Sequence, residues 1–166
     1  MSKCLLVVDM QEITVGKQHA DFFNYSTEII DNVNKIIKEY DVDNVIYIVN
    51  LMKDNLISKF APFKAFKGTK EVELAKELDI VNDNIIEKYK GNAFTNPKLN
   101  KLLQQKNCDE VEIVGVDGGG CVANTAFGAL ENGYKVTIQK AAVGTMFIKK
   151  SEKYNMQLLD KGVKFI

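Results

Sequence analysis

The stretch Glu110-Val111-Glu112-Ile113-Val114-Gly115-Val116-Asp117-Gly118-Gly119-Gly120-Cys121-Val122-Ala123-Asn124-Thr125-Ala126 decides how this chain folds. Its opening, rich in Val and Ile, reads as a strand, and the apolar spacing that runs on from Val122 to Asn132 is that of a helix. Between them stand three consecutive glycines. Such a run is costly in conformational entropy and is expected where backbone bends sharply or approaches a ligand. The stretch therefore predicts a strand, a tight turn and a helix with Cys121 at its N-terminus.

Working outward, the same alternation fills the chain. Apolar, β-branched runs at 4–9, 44–50, 84–88, 135–139 and 163–166 join 110–116 as predicted strands, six in all. Apolar residues at helical spacing predict helices over 26–40, 70–78, 97–106, 122–132 and 151–160. Asn96 before Pro97 is a helix start, and Asn132-Gly133 is a helix stop. Strict β-α alternation implies a three-layer α/β/α fold with a six-stranded, mainly parallel, Rossmann-like sheet. Residues 51–67, with Phe60, Pro62, Phe63 and Phe66, make a long connection that reads as a lid, an interface or a packed excursion. No repeat or linker interrupts the pattern, so residues 1–166 read as one domain.

Composition narrows the partners. The 166 residues are 46% hydrophobic, enough for an ordinary core, and 22 Lys plus Arg offset 22 Asp plus Glu. A net charge of zero removes the field that nucleic acid or an anionic membrane surface needs, so neither is expected as a partner. No apolar stretch approaches the roughly 20 residues of a bilayer span. The run before Asp9 is too short for a secretory signal, which makes a cytoplasmic location the expectation. Cys4, Cys108 and Cys121 are odd in number and lack C-x-x-C spacing, so reduced thiols are expected. All 22 basic residues are lysine; without the two-donor fork of arginine, a purely anionic substrate is disfavoured.

In an open parallel sheet, ligands bind outside the carboxyl ends of the strands. Asp9 ends the first predicted strand, Lys88 ends the third, and Cys121 follows the fourth. Singly, each has an ordinary reading as a cap, a solvated lysine or a small buried side chain. The glycine turn adds weight to Cys121, because a helix N-terminus favours a thiolate and its free N–H groups can hold an oxyanion. The turn matches neither G-x-G-x-x-G nor G-x-x-x-x-G-K-[ST], which ranks a phosphate loop below a nucleophile.

Four segments in order carry a family likeness: Leu5-Leu6-Val7-Val8-Asp9-Met10-Gln11, Lys67-Gly68-Thr69-Lys70-Glu71-Val72-Glu73-Leu74, Glu87-Lys88-Tyr89-Lys90-Gly91-Asn92-Ala93-Phe94, and the strand-turn-helix stretch above. Together, and over nearly the whole chain, they resemble the isochorismatase-like cysteine hydrolase superfamily, which includes nicotinamidases and N-carbamoyl amidohydrolases. The resemblance implies a triad of Asp9, Lys88 and Cys121. Asp9 would move the proton, Lys88 would stabilise negative charge, and Cys121 would attack a carbonyl to give a thioester. The resemblance further implies a cis peptide at Val116-Asp117 and an oxyanion hole from the backbone N–H groups of Asp117 and Cys121. Phe94, beside the Lys88 strand end, and Gln11, two residues after Asp9, are the candidate substrate contacts, while the resemblance implies a small-molecule amide as substrate and a homo-oligomer.

Departures refine that expectation. The nicotinamidase branch carries an Asp-x-His-x-x-His metal site after the second strand, but 50–67 contains no His and the single histidine is His19, so no metal and no cofactor are expected. Isochorismatases proper cleave a vinyl ether and commonly lack the nucleophilic cysteine, which points to an amide or carbamoyl C–N bond. The alternatives are isochorismatase-type or nicotinamidase activity, or a noncatalytic α/β binding module that retains the site. Asp117 stands where relatives carry a small apolar residue, and its carboxylate would oppose thiol ionisation unless it points away.

Overall fold

In the computed structural model, which describes residues 2–166 apart from the Lys59 side chain, strand β1 (Ser2–Val8) is covered on both faces. Its pleat sends Cys4, Leu6 and Val8 into one core and Leu5 and Val7 into another, all fully buried. Strands β2 (Val45–Asn50), β3 (Ile85–Lys88), β4 (Cys108–Val116), β5 (Lys135–Gly144) and β6 (Lys164–Phe165) complete a six-stranded sheet in the order β3-β2-β1-β4-β5-β6. Every pairing is parallel. The expected sheet is therefore present, with β5 continuing past Gln139 to Gly144.

Helices α3 (Pro97–Gln105), α4 (Cys121–Glu131) and α5 (Ile148–Asp160) cover the first face through Leu99, Leu103, Ala126 and Leu158. On the other lie α1 (Glu12–Val15) and α2 (Ile29–Ile37), the latter burying Ile29, Ile30, Val33 and Ile37 at helical spacing. The predicted start of α3 has a physical cap: the Asn96 side chain accepts from Lys98 N at 3.0 Å, with Pro97 in the first turn.

The helix expected over 70–78 does not form. Only a 3₁₀ turn, Lys70–Val72, is helical, because the backbone that follows is bonded to the segment after β1. Glu12 N donates to Glu73 O and Ala75 N to Met10 O, both at 2.9 Å, and Gln11 bridges Leu74. Val72, Leu74, Ala75 and Leu78 still bury their side chains, so the apolar spacing records burial without a helix.

The strand order reverses between β1 and β4, which opens a crevice outside their carboxyl ends. Gly115 lets the two strands approach there. Its φ is +113°, and a Cβ would collide with the Val8 carbonyl oxygen. Gly115→Ala is expected to lower the unfolding free energy in urea by about 3 kcal/mol, combining left-handed strain with the clash. A loss under about 1 kcal/mol would contradict this close approach.

Candidate active site

Lys88, the last residue of β3, buries its side chain completely yet uses all three ammonium protons. It donates to Asp9 Oδ2 at 3.0 Å, Asn50 Oδ1 at 3.0 Å and Cys121 Sγ at 3.2 Å. The acceptors come from the carboxyl ends of β1 and β2 and from the turn after β4, so one cation gathers three strand ends. Burial alone would push the ammonium down; the Asp9 carboxylate and the Cys121 sulfur outweigh it, and the net shift is upward. Lys88 is therefore charged at neutral pH.

Asp9 follows β1 with φ at +55°, a left-handed conformation uncommon outside glycine. Its N–H donates to Ile48 O at 3.0 Å and its carbonyl accepts from Thr14 Oγ1 at 2.6 Å, which holds the turn in that conformation. Oδ2 serves Lys88, while Oδ1 is buried without a hydrogen-bond partner, an acceptor able to take a proton.

Cys121 opens α4, where the helix dipole was expected to favour a thiolate. The surroundings reverse that balance. Burial, and next the Asp9 carboxylate, push the thiol up to about 12 against the opposing pull of Lys88. The resting cysteine is thus a protonated thiol.

The Val116–Asp117 peptide is cis. Both Asp117 carboxylate oxygens are taken by backbone amides: Oδ1 accepts from Gly119 N at 2.7 Å and Oδ2 from Met146 N at 2.6 Å. This carboxylate shapes the turn and is not among the groups that raise the thiol. Gly118 N is bonded to Gly144 O, and Gly120 N and Val122 N to Asp117 O. Among the described residues, the amides of Asp117 and Cys121 donate to nothing. At Gly119 a side chain would run into the Phe147 carbonyl, 2.6 Å from an ideal Cβ, which explains part of the glycine run.

Above this cluster lies a cavity of about 280 Å³ that touches Asp9, Asn50, Asp117 and Cys121 and is walled by Phe22, Phe23, Tyr25, Phe63 and Phe147. The aromatic wall is packed, with Phe23 and Phe63 centroids 4.8 Å apart and Phe22 and Phe63 5.4 Å apart. Gln11 borders the cavity, but its amide is committed: Nε2 donates to Asn50 O and Val72 O, and Oε1 accepts from Asn50 N. It positions Asn50. Phe94 does not border the cavity; it packs against Tyr134, 5.8 Å away, in the core beneath α3 and α4. The chain turns inward after β3, with Asn92 capping the turn by accepting from Phe94 N, and this removes Phe94 from the strand-end face. Of the connection 51–67, Phe63 joins the wall while Phe60 is 85% exposed.

Two groups of residues escaped the sequence reading. Asn50 ends β2 as Lys88 ends β3, so the same strand-end rule marks it. Phe22, Phe23 and Tyr25 lie in a loop with no periodicity, and only their clustering in sequence was visible.

The metal site of the nicotinamidase branch finds no matching donors. The space beside Cys121 after β2 is bordered by Asn50, Met52, Lys53, Asn55 and Lys90, without His or carboxylate. Among the described residues, no group of three or more His, Cys, Asp or Glu is placed to hold a cation.

The family model for the isochorismatase domain matches residues 3–165. An uncharacterized isochorismatase family protein of Bacillus subtilis is 23% identical over 156 residues, covering 92% of this chain and 83% of that protein. The pyrazinamidase of Pyrococcus horikoshii, solved in complex with zinc, is 23% identical with a TM-score of 0.85, covering 100% of this chain and 99% of that one. N-carbamoylsarcosine amidase of Thermoplasma acidophilum is 22% identical with a TM-score of 0.82, covering 99% and 95%. At these identities the two structures show a shared fold.

Two measurements follow from the charge balance. Lys88→Met strands the buried Asp9 carboxylate and is expected to cost about 3–5 kcal/mol in urea unfolding, part of it recovered by adding Asp9→Asn. Asp9→Asn alone removes a charge that holds the thiol up, so the pH profile of Cys121 alkylation, mapped by mass spectrometry, should move to lower pH. A shift to higher pH would refute the assigned cause.

Proposed function

From the chain's membership of the isochorismatase family, we propose that it is a cysteine-dependent hydrolase that cleaves the amide or carbamoyl C–N bond of a small molecule through a thioester. The observation that carries this reading is the buried Lys88 ammonium hydrogen-bonded to both Asp9 and Cys121 at the edge of an aromatic cavity.

The positions of the groups support the following steps. Asp9 Oδ1, which lacks a partner, takes the Cys121 proton as sulfur attacks the carbonyl carbon. Lys88 stays within hydrogen-bond reach of the sulfur and offsets the charge that the raised thiol otherwise resists. The oxyanion is received by the unengaged N–H groups of Asp117 and Cys121. Asp9 then returns the proton to the leaving nitrogen, the C–N bond breaks, and a thioester remains on Cys121. Water, deprotonated by the freed Asp9 carboxylate, attacks the thioester; the acid departs and sulfur regains its proton.

The cavity favours an uncharged acyl portion. Its wall is aromatic, and the charged side chains it touches, Asp9 and Asp117, are anionic. An amide whose acyl half is small and apolar fits this space better than a dianion.

Ammonia and amine release from primary amides, carbamoyl amines and nicotinamide tests the reading. Turnover of at least one class is expected, with Cys121→Ala or Asp9→Asn each lowering kcat by about 10³-fold or more and the double variant losing little beyond that. Turnover that persists in Cys121→Ala, or the absence of release from every class, would overturn it.

A further inference from the structure

Cys121 and Asn50 border a second cavity, of about 430 Å³, formed by the segment after β2 and the turn after β3. It differs from the aromatic one in the charge it carries. Lys53 and Lys90 line it together with Tyr89 and Asn55, and no carboxylate does. Neighbouring lysines are neutralised, Lys67 by Glu87 at 2.7 Å and Lys88 by Asp9 at 3.0 Å. Lys53 and Lys90 have no ion-pair partner among the described residues. Asn50 adds a neutral donor: Lys88 occupies its Oδ1, which orients the side chain, and its Nδ2 donates to nothing among the described residues.

We propose that this cavity binds a carboxylate-bearing end of the substrate, with Lys53 and Lys90 as its charge partners. A substrate then straddles Cys121, its apolar half against the aromatic wall and its anionic half between the two lysines. The reaction performed rests on the hydrolase reading above; the anion site does not require turnover. Lys53 from the segment after β2 and Lys90 from the turn after β3 thus bring two ammonium groups to one cavity beside Cys121, a charge that suits an anion. The absence of arginine disfavours a bidentate clamp, yet lysines serve as point charges, which makes the subsite dependent on ionic strength.

A charge-matched pair of alkylating agents tests this without any substrate. Iodoacetate and iodoacetamide differ in carrying a carboxylate or an amide, and the ratio of their rates at Cys121 is normalised to that of a free thiol. The native protein is expected to favour iodoacetate by about tenfold relative to the free thiol, through focusing by the unpaired lysines. In Lys53→Gln/Lys90→Gln that preference should fall by about tenfold while the iodoacetamide rate stays within about twofold; added salt should reduce it in the native protein alone. Lys88 is common to both proteins and cancels. An equal ratio in native and double variant, or an equal loss of both rates, would overturn the proposal. In the companion assay, kcat/KM should fall in the double variant for a carboxylate-bearing amide and hold for its neutral analogue. A responsive alkylation ratio without amide turnover would support the anion site and refute the hydrolase reading; turnover with an unresponsive ratio would do the reverse.

Discussion

A fully buried ammonium group must find an acceptor for each of its protons, and in this protein that requirement joins the ends of three strands. Lys88 reaches Asp9, Asn50 and Cys121, residues that lie 79, 38 and 33 positions away along the chain. Losing any acceptor leaves a charge in a medium where it is poorly solvated, so the sheet's carboxyl edge has little freedom to rearrange. The same constraint sets the charge balance of the cluster. The Lys88 cation lies beside both the Cys121 sulfur and one Asp9 oxygen, and the other Asp9 oxygen is buried without a partner.

The surrounding architecture serves this cluster by close approach. Gly115 lets β4 press against β1, and Gly119 lets the chain before α5 pass over the turn, which brings Phe147 to the cavity wall. Asp117 spends both carboxylate oxygens on backbone amides of that turn and its neighbour. Among the described residues, two amides, those of Asp117 and Cys121, remain unengaged beside the thiol. The turn before α4 is thus tied down by the Asp117 side chain.

The resting thiol shows how environment overrides local rule. A helix N-terminus lowers a cysteine's pKa in isolation. Here desolvation and the nearby Asp9 carboxylate push it up to about 12, so the thiol holds its proton at rest despite the helix terminus. A protonated sulfur is also a weaker target for adventitious reaction than a thiolate.

The sequence by itself determined the strand-and-helix alternation, the parallel sheet and the three strand-end residues Asp9, Lys88 and Cys121, since side-chain periodicity and strand termini depend on neighbouring residues. What lay beyond it depended on partners far along the chain. The segment 70–78 has helical apolar spacing, yet its backbone bonds are taken by Met10 and Glu12. Phe94 lies beyond the end of β3, yet the turn capped by Asn92 packs it, half-buried, against the core and Tyr134 rather than the aromatic cavity. Asn50 joins the cluster because Lys88 on the adjacent strand needs a third acceptor, and the thiol keeps its proton because the assembled sheet partly buries it beside the Asp9 carboxylate. Tertiary structure decided these points because burial and long-range hydrogen bonding are properties of the assembled chain, and no local pattern encodes them.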